Sequence, residues 1–263
     1  MSSSTESLPL PGNCLVIAGN RGLGLEVVRH LKARQANVLA TTRKTTNDDL
    51  EELGVGVIEG IDVTDKDSGT KLVEAVKKQL GEGESLDYVI CTAGILKPDT
   101  FEDLKYDGAI MMYEVCVLGP LRALQTLTMS GLLRKGSKIG MITSEGGSIG
   151  LRTDEEGGNN YGHHMSKCAQ NMMGKIFALD VKPRGIAIVC LHPGFMKTPM
   201  TEIYKEKWDE LGAVEPHEVA PGIVKAVEDL TLETTGRFIA PKGSESLGMG
   251  VYALKDPDSY GPF

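Results

Sequence analysis

The chain has 263 residues and a formal net charge of −8, from 28 Lys and Arg against 36 Asp and Glu. Its length suits one large α/β domain, and its acidic balance argues against a nucleic-acid partner, because phosphate binding calls for clustered cations. No apolar run approaches the roughly 20 residues a membrane helix needs, the N-terminal MSSSTESLPLPG lacks the pattern of a secretory signal, and five cysteines without CxxC pairing point to reduced thiols in the cytoplasm. Residues 1–12 read as a flexible tail and 13–263 as a single domain, since no repeat or low-complexity linker divides them.

The first strand is the run Leu15-Val16-Ile17-Ala18, which breaks into Gly19-Asn20-Arg21-Gly22-Leu23-Gly24 and turns helical from Leu25. Strand, glycine turn and helix together can hold a dinucleotide: glycines let the backbone approach a pyrophosphate, and the helix N-terminus offers N–H groups and positive dipole. A second strand, Asn37–Thr42, ends in Arg43-Lys44. An acidic residue there would accept a ribose 2′-OH; a guanidinium, joined by Arg21, suits a 2′-phosphate instead, so the expected cofactor is NADP(H). A third strand, Gly54–Asp62, leads through Asp62-Val63-Thr64 to a helix from about Lys66 to Leu80, with Thr64 and Asp65 as its expected N-cap. Asp62 and Val63 join the cofactor-binding set at that strand end.

Asp87–Thr92 reads as a fourth strand, followed by Ala93-Gly94. A long helical region from Asp107 to Leu133 carries an expected interruption at Gly119-Pro120, and Ser137–Ser144 is a fifth strand. A polar loop, 145–160, precedes a helix containing Tyr161-Gly162-His163-His164-Met165-Ser166-Lys167; its later residues Met172, Met173, Ile176, Phe177 and Leu179 are expected in the core. Ile186–Leu191 is a sixth strand, leading to His192-Pro193-Gly194-Phe195-Met196-Lys197-Thr198; a helix over Pro216–Leu230 and a strand over Gly236–Ala240 complete the chain. This alternation predicts a parallel, doubly wound sheet with ligands beyond the C-terminal strand ends. No histidine or cysteine spacing suggests a metal site, since His163 and His164 are adjacent and His192 and His217 stand alone.

Taken together, these residues resemble the short-chain dehydrogenase/reductase family, in particular its C-factor-like carbonyl reductases, from about Asn13 to Pro241. Asn20–Gly24 is similar to the end of the family's TGxxxGxG turn, Thr92-Ala93-Gly94 to its NAG motif, Ser144 and Lys167 to its active-site serine and lysine, and Pro193-Gly194…Thr198 to its PGxxxT segment. The resemblance implies a single-domain Rossmann-type doubly wound parallel sheet of about seven strands, with Gly19 to Gly24, Arg43, Asp62, Val63, Thr92, Ala93, Gly94, Lys167, Pro193, Gly194 and Thr198 around NADP. Departures occur at Ala18, where the first glycine of the turn is expected, and at Cys116, where the family places a helix-kinking asparagine. The largest is at the catalytic tyrosine: counting back four from Lys167 reaches His163.

Residues four apart share a helix face, whereas Tyr161, six from Lys167, serves only if the helix starts after it and the loop folds it back. His163 is therefore placed with Ser144 and Lys167 as the catalytic set, with Tyr161 as the other candidate, and His164 is expected to face away from Lys167. A neighbouring ammonium lowers an imidazole pKa from its ordinary value near 6.5, making His163 neutral at neutral pH. Three functions remain open: an NADP(H)-dependent carbonyl reductase or alcohol dehydrogenase; a non-redox isomerase, dehydratase or cyclase with His163 as acid/base; and a non-catalytic nucleotide-binding protein. A largely apolar lid over 195–211, with Met196, Met200, Tyr204 and Trp208, suggests a medium-sized organic small molecule rather than a charged metabolite. The family analogy adds a homodimer or higher homo-oligomer through the helical segments near 107–133 and 160–182.

Overall fold

Seven short apolar runs become seven parallel strands in the computed structural model, which describes residues 9–43, 48–154 and 157–241. Residues 1–8 of the expected tail, Lys44 beside Arg43, residues 155–156 of the polar loop and the chain after 241 lie outside the described residues. Residues 9–12 are already docked: Leu10 is buried and its N–H donates to the Arg34 carbonyl at 2.8 Å.

The strands are β1 (Asn13–Ile17), β2 (Asn37–Thr41), β3 (Gly56–Ile58), β4 (Tyr88–Cys91), β5 (Lys138–Ile142), β6 (Ala187–Leu191) and β7 (Phe238–Ile239), in the spatial order β3-β2-β1-β4-β5-β6-β7. β2 to β7 are shorter than the expected runs, because the flanking residues leave the ladder to build loops, whereas β1 starts earlier than expected, at Asn13, and ends at Ile17, before Ala18. The order reverses between β1 and β4, and a crevice opens at such a switch point. Side chains alternate across the sheet: Leu15 and Ile17 pack on one face with α3 (Ser68–Leu80), α5 (Gly119–Met129) and α6 (Tyr161–Val181), while Cys14 and Val16 pack on the other with α1 (Gly22–Ala33) and α7 (Pro216–Glu228). Arg34, at the end of α1, clamps α7 through a two-pronged bond to Glu228 (3.0 and 3.2 Å).

Three expectations about helices are corrected. The helix expected from Lys66 starts at Ser68, and Thr64 does not cap it. Its N–H and hydroxyl instead donate to Asp62 at 2.9 and 2.8 Å, closing a turn at the end of β3. The long helical region runs from α4 (Tyr106–Tyr113) through a π-helical stretch, Glu114–Leu118, into α5. The irregularity thus precedes Gly119-Pro120, since proline is tolerated in a first turn where its missing N–H has no partner to lose. Buried Cys116 sits within the π stretch, a form often found at functional sites.

The third correction concerns α6. Met173 and Phe177 are buried as expected, but Met172, Ile176 and Leu179 are each more than half exposed, as is Met165. At 100° per residue these four align as one stripe, turned away from the sheet that buries Met173 and Phe177.

Ala18 lies at φ 63° in the turn after β1, a left-handed conformation costing a residue with a Cβ roughly 1–2 kcal/mol. Ala18→Gly is therefore expected to stabilise the fold by up to about 1 kcal/mol, the added freedom of the unfolded glycine offsetting part of the relief. Urea denaturation checks this, and an unchanged or lower midpoint contradicts it.

Candidate active site

The C-terminal strand ends surround one cleft of about 820 Å³. Its lining contains Asn20 to Gly24, Arg43, Asp62, Val63, Thr92 to Gly94, Ser144, His163, Lys167, Pro193, Gly194 and Thr198. Two of the expected site residues stand outside this lining. A Cβ on Gly19 would meet Ala40, Val28 and Val16 at 3.1–3.2 Å, so Gly19 serves packing between strand and helix. Tyr161 is the first residue of α6, is 37% exposed, and does not line the cleft.

The glycine turn fits a dinucleotide. A Cβ at Gly24 would fall 2.5 Å from the Ala18 carbonyl and 2.7 Å from Thr92 Oγ1, so only glycine lets helix, turn and β4 loop close on one another. Thr92 donates to the carbonyls of Ile17 (2.9 Å) and Ala18 (3.0 Å), bracing the turn from the neighbouring strand. Arg21 precedes α1 without a side-chain cap bond, leaving first-turn N–H groups for an anion. At the far rim, Asp62 loses some tendency to ionise by burial, but the Thr64 hydrogen bonds and the nearby Arg43 guanidinium outweigh this and hold its carboxyl below the usual range.

Ser144 ends the β5 loop in extended backbone, its Oγ accepting the Gly146 N–H at 3.0 Å. A side chain at Gly147 would run into the Lys167 carbonyl, 2.6 Å from the Cβ position; this close approach locks the Ser144 loop onto α6. Lys167 is buried, donating to the Ile142 carbonyl (3.3 Å) and Gln170 Oε1 (2.9 Å). Burial first, then the charges of Lys167, His164 and Arg152, push the His163 imidazole down to about 3.

The start of α6 is set by a residue 62 positions upstream. Asp99, buried in the loop between β4 and α4, accepts the N–H groups of Tyr161 (2.7 Å) and Gly162 (3.2 Å), while its carbonyl accepts that of Asn160 (2.9 Å). A carboxylate is favoured at a helix N-terminus, and Asn160 tolerates the left-handed conformation (φ 50°) that turns the chain into the helix. Tyr161 is thereby held as the first helical residue rather than folded back.

His164 corrects a further expectation: its ring lines the cleft, in edge contact with His163 (centroids 5.4 Å apart), and lies where a Cβ on Gly146 would meet it at 2.7 Å. The cleft floor holds a pair that sequence reasoning missed. His192 Nδ1 accepts the Glu145 N–H at 3.2 Å, and its Nε2 stands 3.6 Å from the buried Glu145 carboxylate. Burial lowers the His192 imidazole to about 3. Asp99, Glu145 and Arg152 had no detectable spacing signal, because they reach the site from the β4–α4 and β5–α6 connections, whereas Gln170, three residues after Lys167 on α6, was signalled by helical spacing and went unread. The lid contributes Phe195, Met196, Met200 and Tyr204 to the lining, whereas Trp208 does not reach it and bonds the Thr201 carbonyl at 3.1 Å.

A family model described as short chain dehydrogenase matches residues 13–209. The chain belongs to that family. Relatives of the chain are named as dehydrogenases and oxidoreductases, and its seven-stranded parallel sheet is that of the solved neighbours. The 1-hydroxy-2-glutathionyl-2-methyl-3-butene dehydrogenase of Rhodococcus sp. (strain AD45) is 35% identical over 225 residues, covering 85% of this chain and 94% of the relative. The C-signal protein of Myxococcus xanthus is 32% identical over 149 residues, 54% of this chain and 80% of that one. The NADPH-bound carbonyl reductase from chicken fatty liver superposes with a TM-score of 0.76 at 26% identity, covering 88% of this chain and 97% of its own. In this short chain dehydrogenase no described helix is long and apolar enough to cross a membrane, and all five cysteines are free.

Proposed function

We propose that the protein is an NADP(H)-dependent carbonyl reductase or alcohol dehydrogenase of the C-factor-like branch, acting in the cytoplasm on a medium-sized organic substrate with His163 in the proton-transfer place. The observation that carries this reading is the convergence of Ser144, His163 and Lys167 on one cleft with Arg21 and Arg43. NADPH, when bound, supplies the hydride. Ser144 Oγ–H orients the substrate oxygen, and Lys167, kept in place by Gln170, holds the cofactor ribose. His163, with its imidazole near 3, is neutral at pH 7. A neutral imidazole can still polarise a carbonyl through its N–H. It would give that proton to the forming alkoxide while its other nitrogen takes one relayed through cleft water from bulk solvent, so the ring is neutral before and after and the reduction consumes one solvent proton. NADPH absorbance with a panel of aldehydes and ketones tests the reading; product formed without cofactor oxidation would overturn it in favour of non-redox chemistry.

NADP(H) is expected to bind more tightly than NAD(H), because Arg43 stands where an acid would otherwise meet the ribose. Losing one charged contact costs about 1.5–3 kcal/mol, so Arg43→Ala should weaken NADPH binding by that amount and leave NADH nearly unchanged. Fluorescence titration of both cofactors decides it, and equal wild-type affinities would refute the preference.

The exposed stripe of α6 supports a homodimer in which Met165, Met172, Ile176 and Leu179 are covered by a second copy. Ile176→Glu should then convert the dimer to a 28.2 kDa monomer in light scattering. A wild-type protein already monomeric at micromolar concentration removes the proposal.

A further inference from the structure

The Lys167 ammonium is gripped from inside the fold by the Ile142 carbonyl (3.3 Å) and Gln170 Oε1 (2.9 Å). An ammonium has three protons to donate, so one remains for the cleft, which Lys167 lines together with Gly94, Ser144 and His163. A Cβ at Gly94 would stand 3.7 Å from Nζ, so the glycine leaves room beside the ammonium. Gln170 follows Lys167 by three residues on the same helix face and is fully buried. Because an ammonium only donates, the amide must turn its oxygen toward Lys167. Its Nε2 then has no hydrogen-bond partner among the described residues. A buried donor left in that state costs free energy that leucine or methionine would avoid. Packing therefore does not account for the amide, whereas the bond to Lys167 does.

We propose that Gln170 is a positioning residue, whose carbonyl oxygen fixes the Lys167 ammonium at the reacting end of the cleft so that the remaining N–H meets the ribose beside the nicotinamide. Arg43 and Asp62 follow β2 and β3, across the switch point from β5 and α6, and so mark the end for the adenosine half. A free lysine side chain is rich in rotamers, and fixing it before the cofactor arrives removes that ordering cost from binding. A neutral amide does so without cancelling the positive charge, as a carboxylate would. This deepens the NADP(H) reading: the ribose contact rests on it, and the contact between Gln170 and Lys167 does not.

The test uses Gln170→Met, which keeps the length and burial of the side chain but offers only a weak sulfur acceptor. In ligand-free protein, acetylation of Lys167 by acetic anhydride, followed by mass spectrometry against the exposed lysines of the same chain, should quicken at least about threefold for one lost hydrogen bond. In calorimetry, NADPH and NADH affinities should each fall about 3–10-fold, the cost of ordering one long side chain on binding. Affinity for 2′,5′-ADP, which lacks the nicotinamide ribose, should stay at the wild-type value, which general damage to the fold would not allow. In a Lys167→Met background the same substitution should cost the dinucleotides nothing more. Unchanged Lys167 acetylation overturns the proposal, as does an unchanged NADPH affinity, a loss shared by 2′,5′-ADP, or a loss that persists with Lys167→Met. If the wild type binds neither dinucleotide, the NADP(H) reading is what fails, and acetylation alone decides whether Gln170 holds Lys167.

Discussion

His163→Ala is expected to lower turnover about 10²–10⁴-fold, the usual contribution of a general acid–base group, with NADPH affinity little changed. The glycine turn and Lys167 would hold the cofactor, and neither depends on the imidazole. Tyr161→Phe should be nearly silent, because Tyr161 is tied to Asp99 through its backbone at the start of α6 and does not line the cleft. His163→Tyr rebuilds a tyrosine four residues before Lys167 and should retain or raise reductase turnover. The pH profile gives an independent readout. With its imidazole near 3, His163 changes charge below the physiological range, so kcat should show no histidine-like ionisation between pH 5 and 8. Loss of activity in Tyr161→Phe together with a mild effect of His163→Ala would assign the role to Tyr161 and refute this arrangement.

Stability is expected to fall steeply as pH drops below about 6.5. His163 and His192 are both held near 3 by the fold, while the unfolded chain protonates them near 6.5. Between those values the unfolded state binds more protons, so stability rises with pH and is lost as pH falls. For His192 the loss is about 1.4 kcal/mol per pH unit, or about 2 kcal/mol at pH 5, and His163 adds in the same direction. Its structural cause is specific. His192 Nδ1 accepts the Glu145 N–H, an arrangement an imidazolium cannot keep, because both of its nitrogens are donors. Glu228, held below the usual carboxylate range chiefly by its bond to Arg34, extends the loss below about pH 4.5. Urea melts at pH 5, 6 and 7 measure the slope, which should become shallower in His192→Asn. A slope unaltered by that substitution would show that His192 is not buried neutral.

Much of the architecture was legible in the amino-acid order, because strands buried on both faces are apolar runs and parallel connections need helices between them. Seven strands, their direction and the glycine turn follow from local pattern and spacing, while the grouping of Ser144, His163 and Lys167 came from the family resemblance. The four-residue interval between His163 and Lys167 is itself a statement about one helix face, so it needed only the helix to be present. Periodicity alone does not say which apolar residues of α6 face the sheet. Met172 and Ile176 look like core until β5 and β6 supply the direction that buries Met173 and Phe177 and leaves the other stripe outward. Nor does spacing reveal the partners that hold the site. Asp99 reaches the start of α6 from 62 residues away, Glu145 meets His192 across two strand ends, and Arg152 enters the cleft from a loop with no periodicity. Those juxtapositions arise only when the sheet has brought its C-terminal loops together, so the tertiary structure decided them and the imidazole ionisation that depends on them.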